Sequence, residues 1–183
     1  MGEAARRGGA GGLAHGVRNV SHVLFICTGN IFRSLTAEYA LRDALLPRRD
    51  IVVSSAGTDD FPHVVRPLVR DYLLAKGIDV RNHERRTVTR VLLDDSRLVV
   101  AMSTDHRSFL SERFGIDVPL FTEACGGTPE PLPDIEEVVA DYQTNTPAAE
   151  AHVRHTIDRI VALAPEMVKR IDALLERYGP LLQ

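Results

Sequence analysis

The chain has 183 residues, 44% hydrophobic and 5% aromatic, with a formal net charge of -3 and no tryptophan. That length suits one domain plus a tail, with a core built mainly from aliphatic side chains. The small net charge argues against nucleic acid or an anionic membrane surface as main partner, and two distant cysteines, Cys27 and Cys125, exclude a disulfide scaffold, a zinc ribbon or a CxxC redox pair.

Residues 1–19 are rich in Gly, Ala and Arg and lack the apolar core of a signal peptide. They are expected to form a disordered extension, with the domain running over 20–183. No run is long enough to cross a membrane, so a cytoplasmic location is the expectation. The first element is a buried strand, Val20 to Ile26, whose consecutive Val23, Leu24, Phe25 and Ile26 suit a central parallel strand. Thr28-Gly29-Asn30 signals a turn, and a helix follows from about Ser34 to Leu46. Ile51 to Ser55 reads as a second strand closed by Gly57. Residues 66–76 read as a helix with Leu68, Tyr72 and Leu73 on one face and Gly77 as its stop.

Thr87 to Asp94 is a short helix, Arg97 to Met102 a third strand, and Thr104 to Phe114 a helix ended by Gly115. Val118 to Phe121 is expected as a fourth strand. Residues 126–134, with two Gly and three Pro, form a loop. Thr146-Pro147 marks the start of a C-terminal helix, which Pro165 should kink or split and Gly179-Pro180 should end. Strands alternating with helices predict an α/β fold: a three-layer sandwich with a central four-stranded parallel sheet and helices on both faces. In such sheets ligands bind at the carboxyl ends of the strands.

Cys27-Thr28-Gly29-Asn30-Ile31-Phe32-Arg33-Ser34 lies at such a place, between a buried strand and a helix. Thiolate chemistry on a phosphate ester needs these residue types. The thiolate, not the thiol, is the nucleophile, and helix amides and a guanidinium favour it. Five residues between Cys27 and Arg33 can wrap into a ring of inward-facing amides, an anion nest. Gly29 and Asn30 tolerate left-handed backbone angles. Arg33 can grip two phosphate oxygens and follow the charge as the phosphoryl group turns planar. The Ser34 hydroxyl is placed to steady the sulfur anion.

On these residues the sequence resembles the low-molecular-weight protein tyrosine phosphatases. Cys27, Gly29, Asn30, Ile31, Arg33 and Ser34 match the family's phosphate loop. Ala37-Glu38, Ser54-Ser55-Ala56-Gly57-Thr58, Gly77-Ile78-Asp79 with His83 and Arg86, and Ala101-Met102 extend the likeness over roughly residues 20–134. The resemblance implies hydrolysis of protein phosphotyrosine through a phosphocysteine, with no metal and no cofactor. It also implies a phosphorylated protein as partner, for bacterial relatives often a tyrosine kinase, and inorganic phosphate as product. The family's general acid comes from an Asp-Pro pair on a late loop, which makes Asp134 the candidate here, with Asp141 and Glu136 as rivals. Ser55 and His83 are expected to support the phosphate loop.

Departures are visible too. Ile135 replaces the proline after the acid, and Glu136 and Glu137 stand where aromatic residues usually clasp the substrate ring. Phe32 takes the place of a frequent second cysteine, Leu35 that of a proline, and Ser103 that of an aspartate. Cys125 is expected to be structural, the Arg85-Arg86 pair a solvated turn, Asp94-Asp95 a helix end, and His152 with His155 a solvated face rather than metal ligands. A protein-arginine phosphatase is the nearest rival reading, though such relatives typically carry threonine at the place of Ile31. An arsenate reductase would need further cysteines, and 90–120 contains none. A phosphate-binding module without catalysis is the rival of another class.

Overall fold

The computed structural model describes residues 20–178, so the expected extension over 1–19 and the stop at Gly179-Pro180 lie outside the described residues. Three parallel strands form the sheet: β1 (Ser21–Cys27), β2 (Ile51–Gly57) and β3 (Leu98–Ala101), in the order β2-β1-β3. β1 pairs with β2 from Ser21↔Ile51 to Cys27↔Gly57 and with β3 from Val23↔Leu98 to Ile26↔Ala101. A strand flanked on both sides and both faces must be apolar throughout, and Val23, Leu24, Phe25 and Ile26 are fully buried.

Alternation along β1 assigns its side chains to two cores. Val23, Phe25 and Cys27 join one cluster with Ala37 and Leu41 of α1 (Arg33–Ala44) and Ile160, Met167 and Ile171 of a long C-terminal helix. Leu24 and Ile26 join another with Leu93 of α3 (Arg90–Asp94) and Leu110 of α4 (Thr104–Phe114). α2 (Pro67–Ala75) comes between β2 and α3, and the left-handed Gly77 lies just beyond its end. The chain leaves β1 for one neighbour, β2, and later returns on the other side as β3. The end of β1 is thus the topological switch point, where a crevice opens above the sheet.

The fourth strand is not formed. Around Val118 to Phe121 only an isolated bridge joins Ala101 to Leu120, and Phe121 already begins the short helix α5 (Phe121–Ala124). Pro119 accepts from Ala101 N–H at 3.0 Å but has no N–H to return, so a ladder cannot propagate. Val118, Leu120 and Phe121 are buried all the same, so their apolar run marks burial rather than pairing. A second short helix, α6 (Ile135–Val138), closes the 126–134 loop. The C-terminal helix α7 (Thr146–Tyr178) runs unbroken through Pro165, contrary to the expected split. Pro165 faces solvent, while Ile157, Ile160 and Ala164 before it and Met167, Ile171 and Leu175 after it are buried on one stripe. Packing on both sides outweighs the one missing hydrogen bond.

Leu35 of α1, Val69 and Leu73 of α2, Ile135 of α6 and Val153 and Ile157 of α7 form a third cluster. That cluster seats α2, α6 and the start of α7 around the end of β1.

Candidate active site

Cys27 is the last residue of β1 and Arg33 the first of α1, so the intervening loop must turn from strand to helix within five residues. Asn30 permits the turn by adopting the left-handed region, φ 55°. It is fully buried, and both polar atoms of its side chain are held. Its Nδ2 donates to Ser55 Oγ at 2.7 Å and to Ser34 Oγ at 3.2 Å, while its Oδ1 accepts from Arg86 N–H at 3.0 Å. His83 Nε2 donates to the Asn30 carbonyl at 2.8 Å, and burial holds the His83 pKa below its usual value. The Ser55 hydroxyl donates to the buried Glu38 at 2.5 Å, and Glu38 pairs with Arg42 at 2.5 Å.

The Cys27 sulfur lies 2.9 Å from Ser34 Oγ. Phe32 is the N-cap of α1 and offers no side-chain acceptor, which leaves the first-turn amides for an anion. Arg33 is 2% exposed. Its Nη1 donates to the Leu132 carbonyl at 2.9 Å, and its Nη2 to Thr28 Oγ1 at 3.2 Å and to the Asp134 carboxylate. Asp134 caps α6, its other oxygen accepting from Ile135 N–H at 2.8 Å, while Glu137 accepts from Asp134 N–H at 2.6 Å.

Cys27, Thr28, Gly29, Ile31, Phe32 and Arg33 share one wall of a cavity of about 250 Å³, which Asp134 also lines. Of the rival acids, Glu136 reaches this cavity, whereas Asp141 is engaged with Asn145 in a turn and is not among the lining residues. Ser55 and His83 stand behind the loop. Cys125 is buried elsewhere, and burial pushes its thiol up to about 12, so it is chemically quiet.

Several residues around the site carried no such expectation. Arg85 is not a solvated turn residue: its Nε donates to the Gly29 carbonyl at 3.0 Å and its Nη2 to the Asp59 carbonyl. Tyr142, after α6, lines the cavity where the aromatic clasp had no candidate. Asp59 and His63, paired at 2.8 Å, also line the cavity, with the His63 ring lying against Gly29. His152 is partly buried and donates to the Pro133 carbonyl at 3.3 Å, while His155 is exposed. His106 bonds Thr28 at 3.0 Å. Two of these carried a sequence signal: Asp59 directly follows the Ser-Ala-Gly-Thr segment, and Arg85 precedes Arg86 of the His-x-x-Arg segment. Tyr142 and His106 carried none. Among the described residues no group of three or more His, Cys, Asp or Glu could hold a metal, and no helix is long and apolar enough to cross a membrane.

The sequence matches the family described as low molecular weight phosphotyrosine protein phosphatase over residues 22–119. A protein-arginine-phosphatase of Bacillus subtilis (strain 168) is 33% identical over 96 residues, covering 51% of this chain and 63% of its own. An arsenate reductase of Staphylococcus aureus (strain Newman) is 35% identical over 83 residues, covering 45% of this chain and 60% of its own. The chain therefore spans less than two thirds of the length of these curated relatives. Among solved structures, the arginine phosphatase YwlE from Geobacillus stearothermophilus superposes with a TM-score of 0.68 at 22% identity, over 87% of this chain and 98% of that one. A low molecular weight protein tyrosine phosphatase from T. tengcongensis gives 0.67 at 21% identity, over 82% and 99%. At such identities these likenesses establish the α/β fold.

Proposed function

The chain belongs to the low molecular weight phosphotyrosine protein phosphatase family, and from that premise we propose that it is a cysteine-dependent phosphatase that hydrolyses protein phosphotyrosine. The single observation that carries the reading is the shared cavity wall: Cys27, the loop after it and the buried Arg33 line one space, with a carboxyl group, Asp134, beside them.

In this mechanism the Cys27 thiolate attacks phosphorus and the bond to the phenolic oxygen breaks. Asp134 gives its proton to that oxygen. The Ser34 hydroxyl donates to the sulfur, which steadies the anion before attack and as it leaves again. Loop amides and Arg33 hold the equatorial oxygens while charge spreads over them. Water then attacks the phosphocysteine, Asp134 takes its proton back, and inorganic phosphate departs. Asn30, Ser55 and His83 hold the loop in shape. The apolar side chains of Ile31, Phe32, Val69 and Tyr142 on the cavity wall suit an aromatic ring. A phosphorylated protein is the partner, with a bacterial tyrosine kinase as candidate, and the cytoplasm is the expected place of action.

One observation favours a second reading. Asp59 and Glu136 line the same cavity as Asp134, and three carboxyl groups suit a guanidinium leaving group, as in phosphoarginine. The test is turnover of p-nitrophenyl phosphate by wild type, Cys27→Ser and Asp134→Ala. Cys27→Ser is expected to be inactive, and Asp134→Ala to lose about 10²–10⁴-fold. Activity that survives Cys27→Ser refutes the proposal, and a wild type that binds phosphate without turnover makes the chain a binding module. Phosphotyrosine, phosphoserine and phosphoarginine peptides then decide between the two substrates.

A further inference from the structure

We propose that His106 is a positioning residue that turns the Thr28 hydroxyl into a fixed hydrogen-bond donor to an oxygen of the bound phosphoryl group. The inference rests on the phosphatase reading above and adds to the ring of amides a side-chain donor that the mechanism does not otherwise use.

His106 lies in the first turn of α4 and is 4% exposed. Its Nδ1 accepts the Ser103 backbone N–H at 3.1 Å, with Ser103 Oγ also 2.9 Å away. An imidazole nitrogen that accepts an N–H carries no proton, so the neutral ring holds its proton on Nε2. That nitrogen is 3.0 Å from Thr28 Oγ1 and therefore donates to it. Arg33 Nη2 donates to the same oxygen at 3.2 Å. Neither partner can accept, because a guanidinium has no acceptor and this imidazole nitrogen has spent its lone pair. Both lone pairs of the Thr28 hydroxyl are thus occupied, and its own proton must point elsewhere. Thr28 lines the cavity with Cys27 and Arg33, so that proton is left for whatever anion enters. Burial, together with the Arg33 charge, holds the His106 pKa down to about 3, which keeps the arrangement the same at any pH at which the protein works.

The experiment is a double-mutant cycle of Thr28→Val and His106→Phe. It reads kcat/KM for p-nitrophenyl phosphate and, separately, the dissociation constant of inorganic phosphate. Each single change is expected to lower kcat/KM and weaken phosphate by about tenfold, the worth of one buried hydrogen bond to a charged group. The double variant is expected to be no worse than Thr28→Val, because both changes remove one interaction. Thr28→Ser, which keeps the hydroxyl, is expected to recover most of what Thr28→Val loses. Losses that multiply in the double variant, a single variant within twofold of wild type, or no rescue by serine would each overturn the inference. A His106 that merely pins α4 to the loop would lower the melting temperature without moving the phosphate constant. Should His106→Phe fold poorly, nitrogen-15 spectra of the wild type decide: the Nε2–H tautomer at pH 7 is required, and any other form there refutes it. Activity that survives Cys27→Ser would sink the phosphatase reading alone, since phosphate affinity still tests this pair.

Discussion

Gly57→Ala is the sharpest test of how closely the sheet is fitted to the phosphate loop. A Cβ on Gly57 would lie 2.5 Å from the Thr28 carbonyl oxygen, and 3.2 Å from both Asn30 N and the Gly29 carbonyl carbon. A relaxed carbon–oxygen contact needs about 3.3 Å, so roughly 0.8 Å must be found. None of the three atoms belongs to a side chain that could rotate away. Gly57 itself is tied down, its N–H donating to the Arg86 carbonyl at 2.9 Å and its carbonyl accepting from Val88 N–H at 2.8 Å. Its neighbour Thr58 N–H donates to the Cys27 carbonyl at 2.9 Å. The softer partner is the loop, which must move away from β2. Overpacking of this kind costs about 1–3 kcal/mol, a fall of roughly 2–12 °C in melting temperature for a domain of this size. A shift near 1 Å at the reacting atoms costs on the order of 10²-fold in rate. Gly77→Ala is the control, since Gly77 has φ 85° but no atom within 4 Å of the new Cβ. It should cost about 1–2 kcal/mol through backbone strain and leave turnover intact. Thermal melts and p-nitrophenyl phosphate assays of both variants decide the matter. A Gly57→Ala enzyme within twofold of wild type, or a Gly77→Ala enzyme as impaired as Gly57→Ala, refutes the reasoning.

Two further outcomes are expected. Ser55→Ala leaves one oxygen of the buried Glu38, whose other oxygen still pairs with Arg42, and one donor of Asn30 without a hydrogen bond, so urea unfolding should show a loss of about 1–3 kcal/mol and turnover should fall as Asn30 loosens; a variant as stable as wild type argues against that network. Stability should also fall on mild acidification, because the unfolded His106 takes a proton near pH 6.5 while the folded one waits until about 3. Its contribution is present above pH 6.5 and drains away as pH drops toward 3, a loss of about 2 kcal/mol between pH 7 and 5. His22 and His83, also lowered by burial, add to the same trend. Urea titrations at both pH values should show His106→Phe losing about 2 kcal/mol less than wild type on acidification.

The strand–loop–helix unit was legible because its signals are local. Four consecutive apolar residues, a Gly-Asn turn and the start of a helix lie within about a dozen positions, and each follows from short-range physics. Where the expectation failed, the deciding partner lay far away in the chain. Val118 to Phe121 has the composition of a strand, but Pro119 cannot donate, so burial without pairing results. Pro165 carries the signal of a break, yet α7 continues because six buried side chains clamp both halves against α1 and the sheet. Arg85 reads as a solvated residue until the fold sets it beside the Gly29 carbonyl, 56 positions away in sequence. His106 sits 78 positions from Thr28, and no periodicity or spacing joins them. Tyr142 reaches the cavity only because α6 and α7 turn the chain back over α2.

The two sides of the site are held in different ways, and this separates their tasks. The Asn30 side is internally satisfied: Ser55, Arg86 and His83 grip it whether or not an anion is present, so the loop is shaped in advance. The Arg33 side is committed to a carboxylate. Asp134 occupies the guanidinium that an entering phosphoryl group would also need, so the two anions compete for Nη2. In the proposed mechanism this exchange has a use, since the carboxyl group displaced from Arg33 is the one required at the leaving oxygen. Competition also makes a prediction that runs against simple loss of function. Asp134→Asn removes the competing charge while keeping the cap on α6, so it should bind inorganic phosphate more tightly than wild type. Replacing a charge-assisted contact by a neutral one is worth about 1 kcal/mol, or roughly fivefold in affinity. The same variant should turn over substrate more slowly, because an amide has no acid proton to give. Calorimetric titration with phosphate checks the first half and p-nitrophenyl phosphate kinetics the second. If the Asp134→Asn variant bound phosphate more weakly than wild type, Asp134 would be helping to hold the anion rather than competing with it.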